Sequence, residues 1–164
     1  MNADLERAAA RLLSLEALHL DQQDWDAWLA LYEENAVFWV PGWRSEHMLV
    51  TDPETEVSLI YCEGRKQLED RVWRARSGRS AAATPLPRTS HIVGNVLVDD
   101  AGRAGQVRVR SGWSCHVFSP KTRRQHVFFG RYDYLLRADA SAIVSKTIVL
   151  ANDYIPASID FYCL

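Results

Sequence analysis

Residues 107–137 set the architecture of the chain, and they read VRVRSGWSCHVFSPKTRRQHVFFGRYDYLLR. Apolar side chains recur at every second position in two stretches of this segment, and successive side chains of a strand point to opposite faces of a sheet. The run Ser119-Pro-Lys-Thr122 separates the stretches and has the composition of a turn. The segment therefore predicts a β-hairpin whose first strand places these side chains on one face: Val107, Val109, Trp113, Cys115 and Val117.

The second strand of the hairpin is predicted from Gln125 to Arg137. Gly130 interrupts it, and we expect a bulge or bend there, because a residue without a side chain inside a long strand often marks one. The alternation predicts two faces, one with Val127, Phe129 and Leu135 and the other with Phe128, Tyr132, Tyr134 and Leu136.

Further stretches with strand character flank the hairpin. Thr89–Val98 precedes it and ends at a turn-rich tetrapeptide, while Ala142–Leu150 follows it. Nearer the amino terminus, Ala36–Val40 stops at Pro41 and is apolar at consecutive positions, so we expect a short strand buried on both faces. Val57–Cys62 is predicted as another strand.

Three segments have helical periodicity. Asp4–Leu20 places apolar residues at spacings of three and four, which predicts a stripe of Leu5, Ala8, Leu12, Leu15 and Leu18. Asp24 can cap a short second helix, whose predicted apolar face is Trp25, Trp28, Leu29 and Tyr32. A charged helix is predicted from Arg65 to Arg76, with an apolar stripe of Leu68, Val72 and Ala75.

Two long loops and the carboxyl terminus complete the chain. The polar stretch 43–56 and the stretch 77–87 are predicted as loops, and loops of this length commonly meet a partner or a ligand. The tail Ile159-Asp-Phe-Tyr-Cys-Leu164 is apolar for a chain end, so we expect it to dock within the domain or on a neighbour.

This order of elements predicts an α+β fold with about three helices on one face of a curved, antiparallel or mixed sheet. It is the order of the cone-shaped nuclear-transport-factor-2-like (cystatin-like) architecture. We expect residues 1–164 to form a single domain, because 164 residues with 48% hydrophobic content suffice for one core and are too few for two ordinary domains.

Charge and composition predict a cytoplasmic protein. The net charge of −2 gives no field for attracting nucleic acid or an anionic membrane, so neither is an expected partner. We expect no signal peptide and no spanning helix, because the amino terminus lacks a basic start and no apolar run is long enough. The three cysteines, Cys62, Cys115 and Cys163, are widely separated and are predicted to be reduced thiols.

Local signatures of catalysis are missing from the sequence. A Rieske cluster needs paired Cys-x-His and Cys-x-x-His ligands, whereas Cys115 and His116 are adjacent and would point to opposite faces of a strand. The five histidines have no short spacing suited to a mononuclear iron site, and neither a phosphate loop nor Gly-x-Ser-x-Gly is present. We therefore predict no catalytic, cofactor-binding or metal-binding residues in this chain.

Two weaker constellations have a functional and a structural interpretation. His91 could act as a general base if it faced Asp70 or Tyr61 inside the cone, but a hydrogen-bonded structural histidine is the simpler interpretation. An arginine group could bind an anion, although interleaved Glu63, Glu69 and Asp70 favour ion pairs on the surface or across a subunit contact. The group comprises Arg65, Arg71, Arg74, Arg76, Arg79 and Arg88.

Several ordered blocks resemble the small (β) subunit of aromatic-ring-hydroxylating dioxygenases. They are Val57-Ser-Leu-Ile-Tyr-Cys-Glu-Gly-Arg65, Leu68-Glu-Asp-Arg-Val72, Pro87-Arg-Thr-Ser-His-Ile-Val-Gly-Asn-Val96, Phe129-Gly-Arg-Tyr132 and Ile159-Asp-Phe-Tyr162. The likeness spans the whole chain. The sequence of these blocks resembles the benzoate, anthranilate and salicylate branch of the family more than the naphthalene branch.

The resemblance implies a non-catalytic subunit of the terminal oxygenase component, within a hexamer of three large and three small subunits (α3β3). It places a Rieske 2Fe–2S cluster and a mononuclear Fe(II) in the large subunit, with electrons supplied from NADH through a reductase. The expected activity is hydroxylation of an aromatic ring, and the expected substrate is an aromatic carboxylate.

Two other functions share the predicted fold. A stand-alone dehydratase or isomerase of the scytalone dehydratase kind would need a pocket with a carboxylate and a histidine in hydrogen-bond reach. A homodimeric ligand-binding module without chemistry would have an empty cone. A dioxygenase subunit is expected to have a filled cone and apolar patches on its outside.

Overall fold

The computed structural model describes residues 2–79, 84–156 and 158–164. The helices are α1 (Ala3–Asp21), α2 (Trp25–Ala30) and α3 (Arg65–Ser77). The strands are β1 (Tyr32–Pro41), β2 (Ser58–Glu63), β3 (Arg88–Asp100), β4 (Gln106–Ser119), β5 (Arg124–Arg137) and β6 (Ile143–Leu150). A 3-10 helix, Phe161–Cys163, ends the chain. Part of the predicted loop 77–87 lies outside the described residues.

One mixed sheet contains all six strands in the order β2-β1-β6-β5-β4-β3. Neighbouring strands are antiparallel except β1 and β6, which run parallel. Helix α1 lies against β3, and α3 lies against β1 and β2. The predicted α+β fold with three helices and a mixed sheet is therefore confirmed.

The central hairpin has the predicted pairing and faces. β4 pairs with β5 along its whole length, from Gln106 opposite Arg137 to Ser119 opposite Arg124. On the inner face the ring of Trp113 stacks on that of Tyr132, with centroids 4.9 Å apart. Cys115 is buried and His116 is exposed, so the two side chains lie on opposite faces as predicted.

No bulge lies at Gly130, so the first of the two predicted alternatives, a bulge or a bend, was wrong. The pairing of β5 with β4 is continuous through Gly130, and the register shift of β5 against β6 lies at Leu135/Leu136. Glycine is needed there for another reason: a Cβ atom would lie 1.9 Å from the Val149 carbonyl oxygen and 2.9 Å from the Ala151 nitrogen. The missing side chain therefore allows the β6 backbone to approach β5 closely.

Helix α1 begins at an Asn2 cap, whose side chain accepts a hydrogen bond from the Asp4 nitrogen. The predicted stripe was partly wrong, because Leu18 is exposed and Leu15 only half-buried. The buried positions are instead Ala9, Leu12, Leu13, Glu16 and Leu20. The helix is thus rotated so that a glutamate, rather than Leu18, faces the core.

Two further expectations near the amino terminus need correction. Asp24 caps α2 as predicted, but Tyr32 begins β1 instead of extending the helical face. In β1 only one face is fully buried, because Val37 and Trp39 remain half-buried on the other. The stripe of α3 is confirmed, with Leu68 and Val72 buried.

The carboxyl-terminal tail docks within the chain. Asp160 caps the terminal 3-10 helix and forms an ion pair with Arg71 of α3, with 2.9 Å between oxygen and nitrogen. The Phe161 ring stacks on Trp28 at 4.9 Å between centroids and meets Trp25 edge-on at 5.6 Å. The tail is therefore part of the core, which resolves the alternative between domain and neighbour.

Candidate functional site

An ion pair lies in the centre of the cone, between α1 and β6. Glu16 and Lys146 are each about 1% exposed, and the Lys146 Nζ atom donates to Glu16 Oε1 over 2.9 Å. The Tyr134 hydroxyl donates to the other carboxylate oxygen over 2.6 Å, and the Tyr32 hydroxyl also donates to Glu16. Lys146 Nζ lies 4.0 Å from the centre of the Tyr132 ring, which adds a cation–π contact.

The surroundings favour the charged carboxylate more than the charged ammonium. Burial raises the pKa of Glu16, but the Lys146 charge and the two tyrosine hydrogen bonds outweigh burial and leave that pKa below its ordinary value. Burial lowers the pKa of Lys146, and Glu16 opposes this effect only in part. The pKa of Glu16 is lowered because three donors contact its carboxylate. The carboxylate of Glu16 thus has partners for both of its oxygens, whereas the buried Ser111 Oγ and Trp113 Nε1 atoms have no hydrogen-bond partner among the described residues.

His91 pairs with Asp21, at the end of α1. Its Nδ1 atom lies 2.6 Å from Asp21 Oδ1, and its backbone nitrogen donates to Asp21 Oδ2 over 2.9 Å. Thr89 Oγ1 donates to the same carboxylate over 2.9 Å. The predicted partners were wrong: Asp70 pairs with Lys66, and the Tyr61 hydroxyl donates to Glu63, because both lie on the distant α3–β2 side.

The His91 side chain is closed off from solvent, which a general base that meets a substrate is not. The His91 side chain is 1% exposed, and its Nε2 atom has no hydrogen-bond partner among the described residues. Burial raises the pKa of Asp21, but the hydrogen bonds from His91 and Thr89 outweigh it and keep the carboxylate charged. The geometry is that of a buried histidine held by hydrogen bonds to Asp21.

The predicted arginine group divides into separate contacts. Arg65 pairs with Glu69, Arg71 with Asp160 and Arg76 with Asp26. Arg79 lies over the Trp73 ring and Arg88 over the Phe118 ring. Five of the six arginines therefore contact acids or aromatic rings at separate places, and these five do not come together as one anion site.

The described ranges 2–79, 84–156 and 158–164 contain no group of three or more His, Cys, Asp or Glu residues placed to hold a metal ion. In the same ranges, no helix has the length and apolarity required to cross a bilayer. Cys62, Cys115 and Cys163 are buried free thiols. Burial raises the pKa of Cys163 to about 12, so this thiol is protonated at neutral pH.

Sequence analysis missed the Glu16–Lys146 network. One local feature points to it: Glu16 lies four residues after Leu12 and four before Leu20, on the buried stripe. A glutamate at such a position requires a buried partner. The identity of the partner depends on the pairing of β6 with β1 and β5, which a local pattern does not reveal.

The fold defines a class, the cone-shaped α+β proteins of the nuclear-transport-factor-2-like kind. A putative scytalone dehydratase from Novosphingobium aromaticivorans has this fold, with a TM-score of 0.66, 18% identity, and coverage of 94% of this chain and 91% of that chain. At that identity the likeness concerns the fold alone.

Within this class, the family is defined by sequence. The family model described as ring hydroxylating beta subunit matches residues 15–157, and the chain belongs to this family. The chain is therefore a subunit of an aromatic-ring-hydroxylating dioxygenase, which confirms the resemblance and favours it over a stand-alone dehydratase or a ligand-binding module.

Individual relatives lie in the predicted branch. The chain is 42% identical over 149 residues to the 2-halobenzoate 1,2-dioxygenase small subunit of Burkholderia cepacia, covering 90% of this chain and 88% of the relative. It is 38% identical over 164 residues to the anthranilate 1,2-dioxygenase small subunit of Acinetobacter baylyi, covering 99% of each. The crystal structure of the benzoate 1,2-dioxygenase beta subunit from Burkholderia mallei superimposes with a TM-score of 0.76, at 38% identity and 94% coverage of each chain.

Proposed function

We propose that residues 1–164 form one domain that serves as the non-catalytic small subunit of a terminal oxygenase, in an assembly of three large and three small subunits. The observation that carries this proposal is the burial of the charged and titratable side chains of the cone, in a chain that belongs to the beta-subunit family. Glu16, Lys146 and His91 are all buried, so the polar groups of the cone hold the fold together instead of meeting a substrate.

Iron chemistry is assigned to the large subunit. The described residues of this chain do not fit a mononuclear iron site or a Rieske cluster, because they bring no three candidate ligands together. We propose that the large subunit holds both iron centres and that NADH supplies electrons through a reductase. The small subunit then contributes contact surface and stability to the assembly, in the bacterial cytoplasm.

An aromatic carboxylate is the proposed substrate of the whole enzyme. Relatives that are 36–42% identical are subunits of 2-halobenzoate, benzoate, anthranilate and toluate 1,2-dioxygenases. The benzene 1,2-dioxygenase subunit is only 26% identical.

The direct test is to purify the tagged chain from its native cell and to measure the mass and iron content of what accompanies it. We expect a larger, iron-bearing chain in equal amount. Turnover of benzoate-type and neutral aromatic substrates by that complex would then test the substrate class. Recovery of the chain alone, free of iron and as a stable dimer, would contradict the assignment.

His91→Gln distinguishes a structural histidine from a general base. We expect the kcat of the assembled oxygenase to stay within about twofold of wild type, while the small subunit loses about 1–3 kcal/mol of unfolding free energy, because the Asp21 contact weakens. Chemical denaturation and turnover assays measure the two quantities. Thr89→Val, which removes another donor to Asp21, is the matched control. A loss of kcat above about 100-fold with an intact assembly would show a catalytic role.

A further inference from the structure

The outer face of the sheet carries a band of exposed apolar side chains from β3 and β5, with Ser114 and His116 of β4 between them. Ile92 of β3 and Phe129 of β5 lie on either side of Ser114 in one cross-strand row, and Val127 lies in the adjoining row. Their exposed fractions are 58% for Ile92, 47% for Phe129 and 37% for Val127. Exposed apolar side chains grouped in this way commonly mark a contact surface.

Arginines frame this band. On one side Arg108 pairs with Asp133 and Arg110 with Asp99, while Arg131 forms no ion pair among the described residues. On the other side Arg88 lies over the Phe118 ring. Four arginines against two aspartates leave this face net positive, although the whole chain has a net charge of −2. The face therefore favours an acidic occupant.

The loop 43–57 has the opposite charge and a similar apolar content. The Met48 side chain is 52% exposed and the Val57 side chain 77%. Arg44 pairs with Glu56, which leaves Glu46, Asp52 and Glu54 without a cationic partner in the described part of the chain. Each copy of the protein thus has a basic apolar face and an acidic apolar loop.

The loop is held in shape by its own hydrogen bonds. The Arg44 nitrogen donates to the Met48 carbonyl over 2.7 Å, and the Glu56 carboxylate accepts from the Thr51 nitrogen over 2.9 Å. Trp43 Nε1 anchors the loop to the end of β6, donating to the Leu150 carbonyl over 2.7 Å. An ordered loop loses little conformational entropy when it binds.

We propose that the outer face of β3–β5 in one copy of this chain binds the loop 43–57 of a second copy. The contact buries Met48 and Val57 against the apolar band and places the acidic side chains of the loop beside the framing arginines. This inference rests on the proposed assembly of three large and three small subunits. Three such contacts, each between two unlike surfaces, can close a ring of three small subunits.

Cysteine cross-linking tests which surfaces meet. One preparation carries Met48→Cys and another carries Ile92→Cys, and a short bismaleimide is added to each alone and to their mixture. We expect a cross-linked dimer several-fold enriched in the mixture. The wild-type chain is the control, because its three cysteines are buried. A dimer from Ile92→Cys alone, or none in the mixture, overturns the proposal.

Charge reversal tests the complementarity, with sedimentation equilibrium of the isolated chain as the measurement. Arg131→Glu is expected to raise the self-association Kd about tenfold, and Arg131→Glu with Glu54→Arg to restore it, because the interacting charges are exchanged. Glu6→Lys, at an exposed position of α1, is the matched control and should leave the Kd unchanged. An Arg131→Glu chain that associates like wild type, or a wild-type chain that is monomeric at all concentrations, overturns the proposal.

Recovery of the large subunit by the tagged chain distinguishes a failure of this inference from a failure of the proposed function. The tagged Arg131→Glu chain should still recover the large subunit, because its lesion lies at the contact between small subunits. If it loses the large subunit and keeps its self-association, the outer face binds the large subunit and the inference is wrong. If neither variant nor wild type recovers a large subunit, the proposed function itself is wrong.

Discussion

Replacing Glu16 by alanine is expected to lower the free energy of unfolding by about 3–5 kcal/mol, because it leaves the Lys146 ammonium buried without its carboxylate. The change also removes the acceptor of the Tyr134 and Tyr32 hydroxyls, and both side chains are fully buried. Urea denaturation at neutral pH measures the loss, on the isolated chain or within the purified assembly.

Two variants control this experiment. Glu6→Ala removes an exposed glutamate from the same helix and should change stability by less than about 0.5 kcal/mol. Glu16→Leu combined with Lys146→Met removes both charges and should recover the part of the loss that comes from the unpaired ammonium, while the Tyr134 and Tyr32 hydroxyls still lack their acceptor. A loss below about 1 kcal/mol for Glu16→Ala would show that water enters the cone.

The same carboxylate sets a pH dependence. The pKa of Glu16 in the folded protein lies below its ordinary value of 4.5, so folding favours the deprotonated form. Its contribution to stability is fully present above pH 4.5 and is lost as the pH falls through the lower, folded-state pKa. We expect Glu16→Gln to be less stable at neutral pH and to show a shallower loss of stability on acidification.

Phe161→Ala is expected to destabilise the protein by about 3–5 kcal/mol, the usual range for removing a buried aromatic ring. Phe161 is fully buried, and its ring fills the space between Trp25 and Trp28. The cavity that remains is walled by rigid indole rings of α2, so the core cannot easily collapse around it. Thermal and urea denaturation both measure the effect.

Tyr154→Ala is the matched control for the tail, because its side chain is 72% exposed, and its effect should stay below about 0.5 kcal/mol. Phe161→Leu keeps most of the apolar volume and should cost less than Phe161→Ala. Equal stability of Phe161→Ala and wild type would mean that the terminal segment does not stay docked in solution.

The sequence predicts those parts of the fold that depend on local chemistry. The Asp24 cap, the stripe of α3 with Leu68 and Val72, and the alternation of β4 all follow from neighbouring residues. These features placed the boundaries of the helices and long strands within a few residues. The prediction that this chain contains no catalytic, cofactor-binding or metal-binding residues also rests on local sequence, because it follows from the absence of the known short motifs.

Features that depend on distant pairing were not predicted. Leu18 and Glu16 compete for the buried side of α1, and the outcome is fixed by Lys146, which lies far away in the sequence. His91 meets Asp21 because β3 packs against α1, and no spacing in the sequence indicates that contact. The need for glycine at position 130 likewise depends on the close approach of the β6 backbone. Each case requires the tertiary arrangement before the role of the residue can be assigned.

The position of β6 has a consequence for biosynthesis. The strand lies in the middle of the sheet, between β1 and β5. Because synthesis proceeds from the amino terminus, β1 and β5 are both made before β6, and the two halves of the sheet cannot join until β6 has left the ribosome. During that interval β1 and β5 have open edges, so the nascent chain is at its most prone to aggregate.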